Sequence, residues 1–461
     1  MIAGLSTKLR FNGESRTYAL LLAAFGVFIC RLALSLAFVP PWQQSDEPPH
    51  VAYVEVARSR LTSVRFPDPG RQREILLSMA RFGWWQHYGL QVPMPFPVRF
   101  GTDERAFAPE DEDRAPQNFR SIGIDPAAKN SNAAYYAIVA TMLAPAPALS
   151  VVADLYVMRV FSAALGLLTL WLAWRGAREC VGETGGATVT MLLALHPQLA
   201  IVSTTASPDM LANVCAAGFW WQAMVALRRT NFIGPLAFAW AFAIGSAVAD
   251  RMAIPLLAAA CVTSVVCTAR HSGLRRGTLS IAMVAILLLA LSLWAIEAVW
   301  HTFSGALNFA VDPVPSSERW SYFVRFTTFL FQGWWSSLGL VRHVPPAWWQ
   351  VIALMLSILG ALGVAHRFIW SGSQIRLMVV LAVMVVSIQI AAVFWIFFTV
   401  ENPHGRYLFP SLVPTLVLLW MGIEAWVPLR GRPYAAIGLV LLFALLDMTV
   451  WEFVALPVWG T

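Results

Sequence analysis

The chain has 461 residues, of which 58% are hydrophobic and 12% are charged, and its formal net charge is +7. A soluble domain of this length does not need so many apolar residues to fill one core, so lipid is the predicted main solvent. The positive charge does not indicate nucleic-acid binding, because most loop arginines flank apolar segments, where the positive-inside rule accounts for them.

Repeated apolar runs of about 20 residues, many closed by arginines, predict an all-α polytopic membrane protein, because helices satisfy their own backbone in hydrocarbon. The first run, 17–39, is too long for a signal-peptide core and lacks a small-residue cleavage pattern, so we expect it to remain as an anchor. Lys8, Arg10 and Arg16 precede it and place the N-terminus in the cytoplasm.

The polar stretch that follows, 40–151, is the predicted first extracytoplasmic loop of a single transmembrane domain, 1–461. Amphipathic pieces at 47–60 and 72–82 favour juxtamembrane helices that lie on the surface over an independent domain. The last part of this loop, the apolar run 133–152, is interrupted by two prolines. Whether this run crosses the membrane decides on which side of the membrane every later loop lies.

If 133–152 does not cross, the total is about eleven spans (10–12), since runs of roughly 20 apolar residues are counted as spans. The spans after the first are 152–174, 187–206, 210–227, 232–249, 252–269, 279–300, 347–366, 375–398, 407–427 and 434–456. Every short basic turn then lies inside, whereas a crossing would put all of them outside. We therefore favour a juxtamembrane or re-entrant helix at 133–152. The turns contain Arg175 with Arg178, Arg228 with Arg229, Arg270 with Arg275 and Arg276, Arg367 with Arg376, and Arg430 with Arg432.

With this arrangement, most acids and bases of the loops share the outer face. The first group is Ser45-Asp46-Glu47-Pro48-Pro49-His50, directly after the first helix. Ser45 or Asp46 could simply cap the next helix, with proline in its first turn. Two adjacent carboxylates and a histidine exceed what a cap requires. A carboxylate here is suited to take a proton from an acceptor hydroxyl, or to hold a divalent cation against a phosphate leaving group.

The second group is Ser207-Pro208-Asp209. By itself, Asp209 reads as the N-cap of the helix that begins at Met210. Its position on the same face as Asp46 gives the alternative, a second carboxylate that orients an acceptor or a metal.

The third group lies in the predicted second extracytoplasmic loop, 301–346, where Trp334 and Trp335 are followed by Arg342 and His343. A single tryptophan there is typical of the interfacial belt. Adjacent aromatic rings beside Arg and His also suit the apolar face of a sugar next to its phosphate.

The fourth group is Glu401-Asn402-Pro403-His404-Gly405-Arg406-Tyr407. Arg406 could merely snorkel to the interface. Gly405 permits close backbone approach and guanidinium binds phosphate bidentately, which favours an anionic lipid headgroup on Arg406. Asp250-Arg251, in a tight outer turn, is either a local ion pair or a further phosphate contact.

The remaining signals are negative or unassigned. Arg31 and Glu297 are charged residues within predicted spans. Each either belongs to a functional site or extends its side chain to the membrane interface, and neither is assigned a role. The five cysteines show neither disulfide nor metal spacing. The sequence contains no P-loop, Rossmann glycine fingerprint, zinc-protease helix or Gly-x-Ser-x-Gly elbow, which disfavours nucleotide-driven transport.

Taken in order, four of these pieces resemble the GT-C superfamily of integral-membrane glycosyltransferases, which includes protein O-mannosyltransferases and lipid A aminoarabinose transferases. The pieces are Asp46 to His50, Ser207-Pro208-Asp209, the stretch from Trp335 to Leu340, and Gly405-Arg406-Tyr407 with Pro410. The pattern is most similar to a bacterial branch of GT-C known as a domain of unknown function. The superfamily places an acidic motif just after the first helix and juxtamembrane helices in the first loop.

The resemblance implies transfer of a sugar from a polyprenyl-phosphate carrier. Asp46 is the implied general base, and Glu47 would orient it or bind a cation. The lysine-containing element of the best-known relatives is missing, and Asn132-Ala133-Ala134-Tyr135-Tyr136 stands in its place. That departure moves the predicted phosphate ligand to Arg406. The further predicted substrate-binding residues are His50, Asp209, Arg251, Arg342, His343, His404 and Tyr407.

These expectations describe an enzyme of the bacterial inner membrane whose active site faces the outside or periplasm. Its acceptor would be an envelope glycan, lipid or protein, with no nucleic acid involved, and the need for a divalent cation is left open. One alternative is a glycolipid flippase, which would need polar residues at mid-membrane depth. The other is a polysaccharide polymerase or ligase that uses diphosphate-linked lipid donors.

Overall fold

The computed structural model describes residues 13–44, 46–61, 68–82, 133–145, 149–250, 253–272, 319–337, 343–397 and 404–459. Every regular element of this part of the chain is helical, so the all-α prediction is confirmed. The α-helices are α1 (Gly13–Phe38), α2 (Glu47–Ser59), α3 (Pro69–Arg81), α4 (Ala133–Leu143), α5 (Val151–Ala194), α6 (Pro197–Ser203), α7 (Asp209–Arg228), α8 (Ile233–Ala249), α9 (Pro255–Ser272), α10 (Arg319–Trp335), α11 (Ala347–Trp370), α12 (Ser373–Phe397), α13 (Leu412–Ala425), α14 (Arg432–Val450) and α15 (Leu456–Trp459). A 3₁₀ segment, Gly405–Ser411, leads into α13.

Seven helical stretches of the described chain are long and apolar enough to cross a bilayer, by length and composition. They are Thr17–Phe38, Val151–Ala194, Asp209–Arg228, Ala347–Trp370, Ser373–Phe394, Gly405–Ala425 and Leu429–Ala455. The apolar α8 and α9 are shorter, and the predicted span 279–300 lies outside the described residues. The predicted total of about eleven spans, counted from apolar runs, therefore stays a prediction, as does the GT-C fold.

The long helix α5 contains a reversal of the chain. Gly182 has backbone angles φ 77° and ψ 178°, which are not helical. A Cβ on Gly186 would lie 2.8 Å from the Cα of Arg178, whereas residues eight apart in a straight helix are separated by about 12 Å. The chain therefore doubles back at Gly182, and α5 consists of two antiparallel arms, 151–181 and 183–194.

The basic turns gather at one end of the bundle. Arg228, at the end of α7, donates to the carbonyl oxygen of Glu179 at 2.8 Å. Arg367, near the end of α11, pairs with Glu424 of α13 at 2.6 Å. A cleft lined by Arg228 and by the first residues of α12 joins the two groups. We call this end, which carries Arg175, Arg178, Arg228, Arg367, Arg430 and Arg432, the basic end.

The apolar run whose crossing was in question forms the short helix α4. Its 11 residues rise about 16 Å, roughly half the thickness of the hydrocarbon core. It packs beside α2 and α3 in a separate cluster of buried residues that includes Val51, Ile75 and Val139. The amphipathic pieces of the first loop are thus helical in their described parts, whereas their juxtamembrane position stays a prediction.

The predicted second loop, 301–346, contains the helix α10 in its described part. Tyr322, Phe326 and Trp335 of this helix are buried in the main core. Arg325 and several hydroxyl residues interrupt its apolar positions, so no apolar run of spanning length marks it in the sequence. Sequence reasoning therefore missed α10.

Arg31, whose role the sequence leaves open, stabilises a break between helices. It pairs with Asp447 of α14 at 2.6 Å, and both side chains are nearly buried. It also donates to the carbonyl oxygens of Ala194, His196 and Pro197. These carbonyls lie where α5 ends and α6 begins, and that of His196 also accepts a hydrogen bond from the backbone N–H of Leu199 at 3.1 Å. Arg31 thus has a structural role at the junction of α1, α5 and α14.

Helices α11 and α13 cross at three glycines. A Cβ on Gly422 would lie 2.0 Å from the carbonyl oxygen of Gly360, and a Cβ on Gly363 would lie 1.9 Å from that of Gly422. Both distances are far below van der Waals contact, so only glycine permits this approach.

We expect Gly422→Ala to lower the free energy of unfolding by about 3 kcal/mol, because the methyl group forces the two helices apart. The thermal unfolding midpoint of the purified protein in detergent measures the effect. Gly438→Ala is the matched control, since a Cβ at Gly438 meets no atom within 4 Å. Equal midpoints for the two variants would contradict the close crossing.

Candidate functional site

The turn between α1 and α2 is fixed by Arg159, a buried arginine of α5. Its Nε and Nη2 donate to the two carboxylate oxygens of Glu47 at 2.7 and 2.8 Å. It also donates to the carbonyl oxygens of Val39 and Pro40, at 2.7 and 2.8 Å. Arg159 and Glu47 are both fully buried. Glu47 is thereby committed to Arg159, and the turn is held against the start of α5.

Two non-glycine residues of this turn adopt left-handed backbone angles. Trp42 has φ 70° and Asp46 has φ 62°. Such angles are costly for residues with a Cβ, and they persist where the surrounding structure enforces them. Trp42 is fully buried, while Asp46 immediately precedes α2 without capping it through its side chain. The strained turn therefore presents the Asp46 carboxylate away from the helix that follows it.

The second predicted group is tied to the same turn. The side chain of Gln44 hydrogen-bonds Thr204, at 3.3 Å, and Thr205. The backbone N–H of Ala206 donates to Glu47 at 3.3 Å. These contacts place the start of α7, and with it Asp209, beside Asp46.

The third and fourth groups meet where α10 crosses the 3₁₀ segment. A Cβ on Gly405 would lie 1.8 Å from the backbone nitrogen of Trp334, and a Cβ on Gly333 would lie 2.6 Å from that of Gly405. Two glycines in contact therefore bring the tryptophan pair against the segment that carries Arg406. The close approach predicted for Gly405 is present, although its neighbour is backbone.

Arg406 lies at the centre of the site, between two carboxylates. It pairs with Asp46 and, through Nη1, with Asp209 at 3.6 Å. The side-chain exposures are 6% for Arg406, 53% for Asp46 and 13% for Asp209. We call these three residues the triad. Asp46 is its exposed member, whereas Arg406 and Asp209 form its buried floor.

The charge of Arg406 sets the protonation of Asp46. Partial burial acts to raise the pKa of Asp46, but the positive charge of Arg406, with smaller effects from His50 and His404, lowers the pKa below its ordinary value. Asp46 is therefore ionised in the described arrangement. Its basicity would increase if Arg406 were neutralised by another anion.

The predicted residues around the triad take different positions. His50 Nδ1 lies 2.8 Å from the Tyr136 hydroxyl, and burial lowers the pKa of His50 although Asp46 and Asp209 oppose this. The ring centroid of Tyr407 lies 5.3 Å from Arg406 Cζ, a cation–π contact.

His404 is nearly buried, and its ring centroid lies 6.1 Å from that of Tyr407. His343 is partly buried and precedes α11, but it is not a member of the triad. Arg251 and Arg342 lie outside the described residues. The structure thus brings His50, His404 and Tyr407 to the triad, and it gives Glu47 a buried partner.

The structure contains an apolar cavity of about 960 Å³, whose lining includes residues close in sequence to Arg406 but none of the triad. At the site end it is lined by Trp334 and Leu408, the second of which lies two residues after Arg406. It continues between α10, α11, α12 and α13 to Phe368 and Ile369, near the basic end. The 3₁₀ segment thus contributes both to the triad, through Arg406, and to the cavity, through Leu408.

His196 is a buried residue that sequence reasoning did not single out as functional. Its ring centroid lies 4.8 Å from that of Trp334, 5.9 Å from Trp335 and 5.7 Å from Phe409. Burial lowers its pKa to about 3, so the ring is neutral. Its two ring nitrogens have no hydrogen-bond partner among the described residues.

The described residues do not form an evident metal-binding site. No group of three or more His, Cys, Asp or Glu side chains there is arranged to hold an ion. The two carboxylates nearest the triad centre are both engaged with Arg406.

No protein-family model matches this sequence, and no curated protein shows significant similarity to it. The GT-C resemblance therefore rests on the four short motifs alone. The described parts of those motifs lie at one end of the bundle, and the resemblance itself stays a prediction.

We expect Glu47→Gln to destabilise the fold by about 3 kcal/mol, because it leaves the buried Arg159 without its counter-charge. The thermal unfolding midpoint in detergent measures this. Glu183→Gln is the control, because Glu183 is 60% exposed and its pair with Arg178 spans 3.5 Å. Asp46→Asn should change the midpoint far less than Glu47→Gln. Equal losses for the two neighbours would contradict the separate roles.

Proposed function

We propose that the protein is a membrane glycosyltransferase that moves a sugar from a polyprenyl-phosphate carrier to a cell-envelope acceptor. The observation that carries the proposal is the triad of Asp46, Arg406 and Asp209 at the head of the apolar cavity. One end of the site suits a phosphate and an acceptor hydroxyl, and the other suits a long hydrocarbon chain. A lipid-linked phosphate ester needs both.

The cavity supports a donor with a long apolar chain. Along α11 it extends from Leu354 to Ile369, a rise of about 22 Å, which is most of the roughly 30 Å depth of the hydrocarbon core. Its lining is dominated by aliphatic and aromatic side chains. Such a cavity orients an apolar chain along the membrane normal, with its polar head at the triad.

Arg406 is the proposed ligand of the donor phosphate. A guanidinium offers paired N–H donors that match phosphate oxygens, and burial strengthens the interaction. Since two carboxylates already neutralise Arg406, a phosphate must replace one of them. Asp46 is the more exposed of the two, so it leaves and Asp209 stays.

Donor binding would then release the general base. Asp46, no longer paired with Arg406, takes the proton of the acceptor hydroxyl while the acceptor oxygen attacks the anomeric carbon of the sugar. The bond from that carbon to the phosphate oxygen breaks, and its electron pair leaves with the polyprenyl phosphate. Arg406, with His404 nearby, stabilises the charge of the leaving phosphate. Glu47, held by Arg159, positions the turn that carries Asp46.

The distribution of charge supports an active site on the outer face. The basic end lies opposite the triad, and the positive-inside rule assigns basic turns to the cytoplasm. The triad then faces the outside or periplasm of a bacterial inner membrane. An envelope glycan, lipid or protein is the proposed acceptor.

A flippase is less well supported, because it needs a polar path through the bilayer. The cavity is lined mainly by apolar side chains and has no charged residue in its lining, and the charges of the triad gather at one end. A polymerase or ligase that consumes diphosphate-linked donors remains the alternative that a donor assay separates.

The direct test is transfer from a panel of radiolabelled polyprenyl-phosphate sugars to endogenous acceptors in membranes that contain the protein. Asp46→Asn should lower turnover at least about 100-fold without loss of inserted protein, since the general base is removed. Arg406→Gln should weaken use of the donor itself. Glu183→Gln, at the basic end, should transfer normally. Unchanged glycan product with Asp46→Asn, or consumption of diphosphate-linked donors alone, would contradict the proposal.

Filling the cavity provides a second test of the donor. Ala361 lines the cavity, so we expect Ala361→Trp to raise the KM for long-chain donors more than for short-chain analogues. Leu362→Trp is the matched control, because Leu362 is 56% exposed and is not part of the lining. The same KM change at both positions would indicate that the chain does not enter the cavity.

A further inference from the structure

A second candidate site lies at the basic end, far from the triad, on the surface formed by α5 and α7. Its centre is Arg175, whose Cζ lies 4.4 Å from the ring centroid of Trp221 and 5.5 Å from that of Trp171. The two indole rings are 6.0 Å apart. Arg175 is therefore held between two aromatic faces, which position the guanidinium without using its N–H groups.

Arg175, unlike Arg178 and Arg228, has no counter-ion among the described residues. Arg178 pairs with Glu183 at 3.5 Å, and Arg228 pairs with Glu179 at 3.2 Å. Arg175 makes neither a hydrogen bond nor an ion pair with any residue that the structure describes. The nearby acidic groups, Glu179 and Glu183, are engaged with the other arginines.

The unsatisfied atoms shown at Arg175 are donors. Arg175 Nε and the indole nitrogen of Trp221, whose ring lies against Arg175, are buried, and neither has an acceptor among the described residues. Buried donors are costly unless an acceptor is supplied. Two donors and a positive charge without an acceptor favour binding of an anion.

The position of the cluster identifies the source of the anion. Arg175 lies seven residues before the reversal at Gly182, so it is about 10 Å from the end of the first arm of α5. Leu168 and Trp171, on the same helix face and deeper in the bundle, are 41% and 37% exposed. An exposed apolar stripe that ends in an arginine matches a lipid, with chains along the stripe and the headgroup at the arginine.

We propose that Arg175 and Trp221 bind the phosphate of an anionic phospholipid at the basic end of the bundle. The site is distinct from the triad and does not depend on the proposed transferase activity. Its role is to anchor the packed pair of helices α5 and α7 at a defined depth in an acidic leaflet. Arg175 supplies charge and paired donors, and the indole N–H of Trp221 adds a further donor.

Native mass spectrometry of the full-length protein in detergent tests the site, with phosphatidylglycerol and phosphatidylcholine titrated separately. Arg175→Gln should weaken phosphatidylglycerol binding about five- to tenfold and leave phosphatidylcholine unchanged, given the usual contribution of one arginine near an anionic headgroup. Trp221→Phe keeps an aromatic face and removes one donor, so it should produce a smaller but selective loss. Arg430→Gln is the control for general charge, because Arg430 is exposed at the same end.

Three results would overturn the site. The first is an equal loss of phosphatidylglycerol binding in Arg175→Gln and Arg430→Gln, which would mean unspecific surface attraction. The second is an unchanged preference for phosphatidylglycerol over phosphatidylcholine in both Arg175→Gln and Trp221→Phe. Soluble glycerol phosphate could bind as tightly as the lipid, which would reassign the site to a free phosphate ester. If Arg175→Gln does not purify as a single species, the Trp221→Phe titration decides the question.

Discussion

The buried ion pair between Arg159 and Glu47 determines where the proposed chemistry takes place. Arg159 uses its remaining donors on the carbonyl oxygens at the end of α1, so one side chain joins α1, α2 and α5. The turn that it holds is strained at Trp42 and Asp46, and this strain turns the Asp46 carboxylate toward Arg406. The Asp46 carboxylate must leave Arg406 and return to it in the proposed reaction. A rigid backbone confines that movement to one side chain.

Arg406 is paired with two carboxylates before any substrate arrives. Arg406 is nearly buried, and an unpaired charge there would be costly, so Asp46 and Asp209 stabilise it in the absence of donor. The same pairing keeps the Asp46 pKa low, which makes it a weak base until phosphate takes its place on Arg406. Donor binding and activation of the base are thereby coupled through one guanidinium, and the acceptor is protected from premature reaction.

The sequence predicted the axial arrangement of the site well. Hydropathy and basic turns fix the depth of each residue along the membrane normal, so Asp46, Asp209 and Arg406 were expected at one end, provided that 133–152 does not cross. Lateral contacts follow from helix rotation and neighbour choice, which hydropathy does not encode. Glu47 and Asp46 are therefore equivalent in sequence but not in structure, and the signal for Arg159 was only a charge within a predicted span. His196 gave no sequence signal, because the aromatic rings around it come from α10 and the 3₁₀ segment, which are distant from it in sequence.

The most direct test of the central claim is an experimental density map of the protein in lipid nanodiscs with a short-chain polyprenyl phosphate. The account predicts the isoprenoid chain in the cavity between α10, α11, α12 and α13. It also predicts the phosphate within hydrogen-bonding distance of Arg406, with Asp46 displaced and Asp209 in place. A phosphate bound away from Arg406, or a chain outside the cavity, would contradict it.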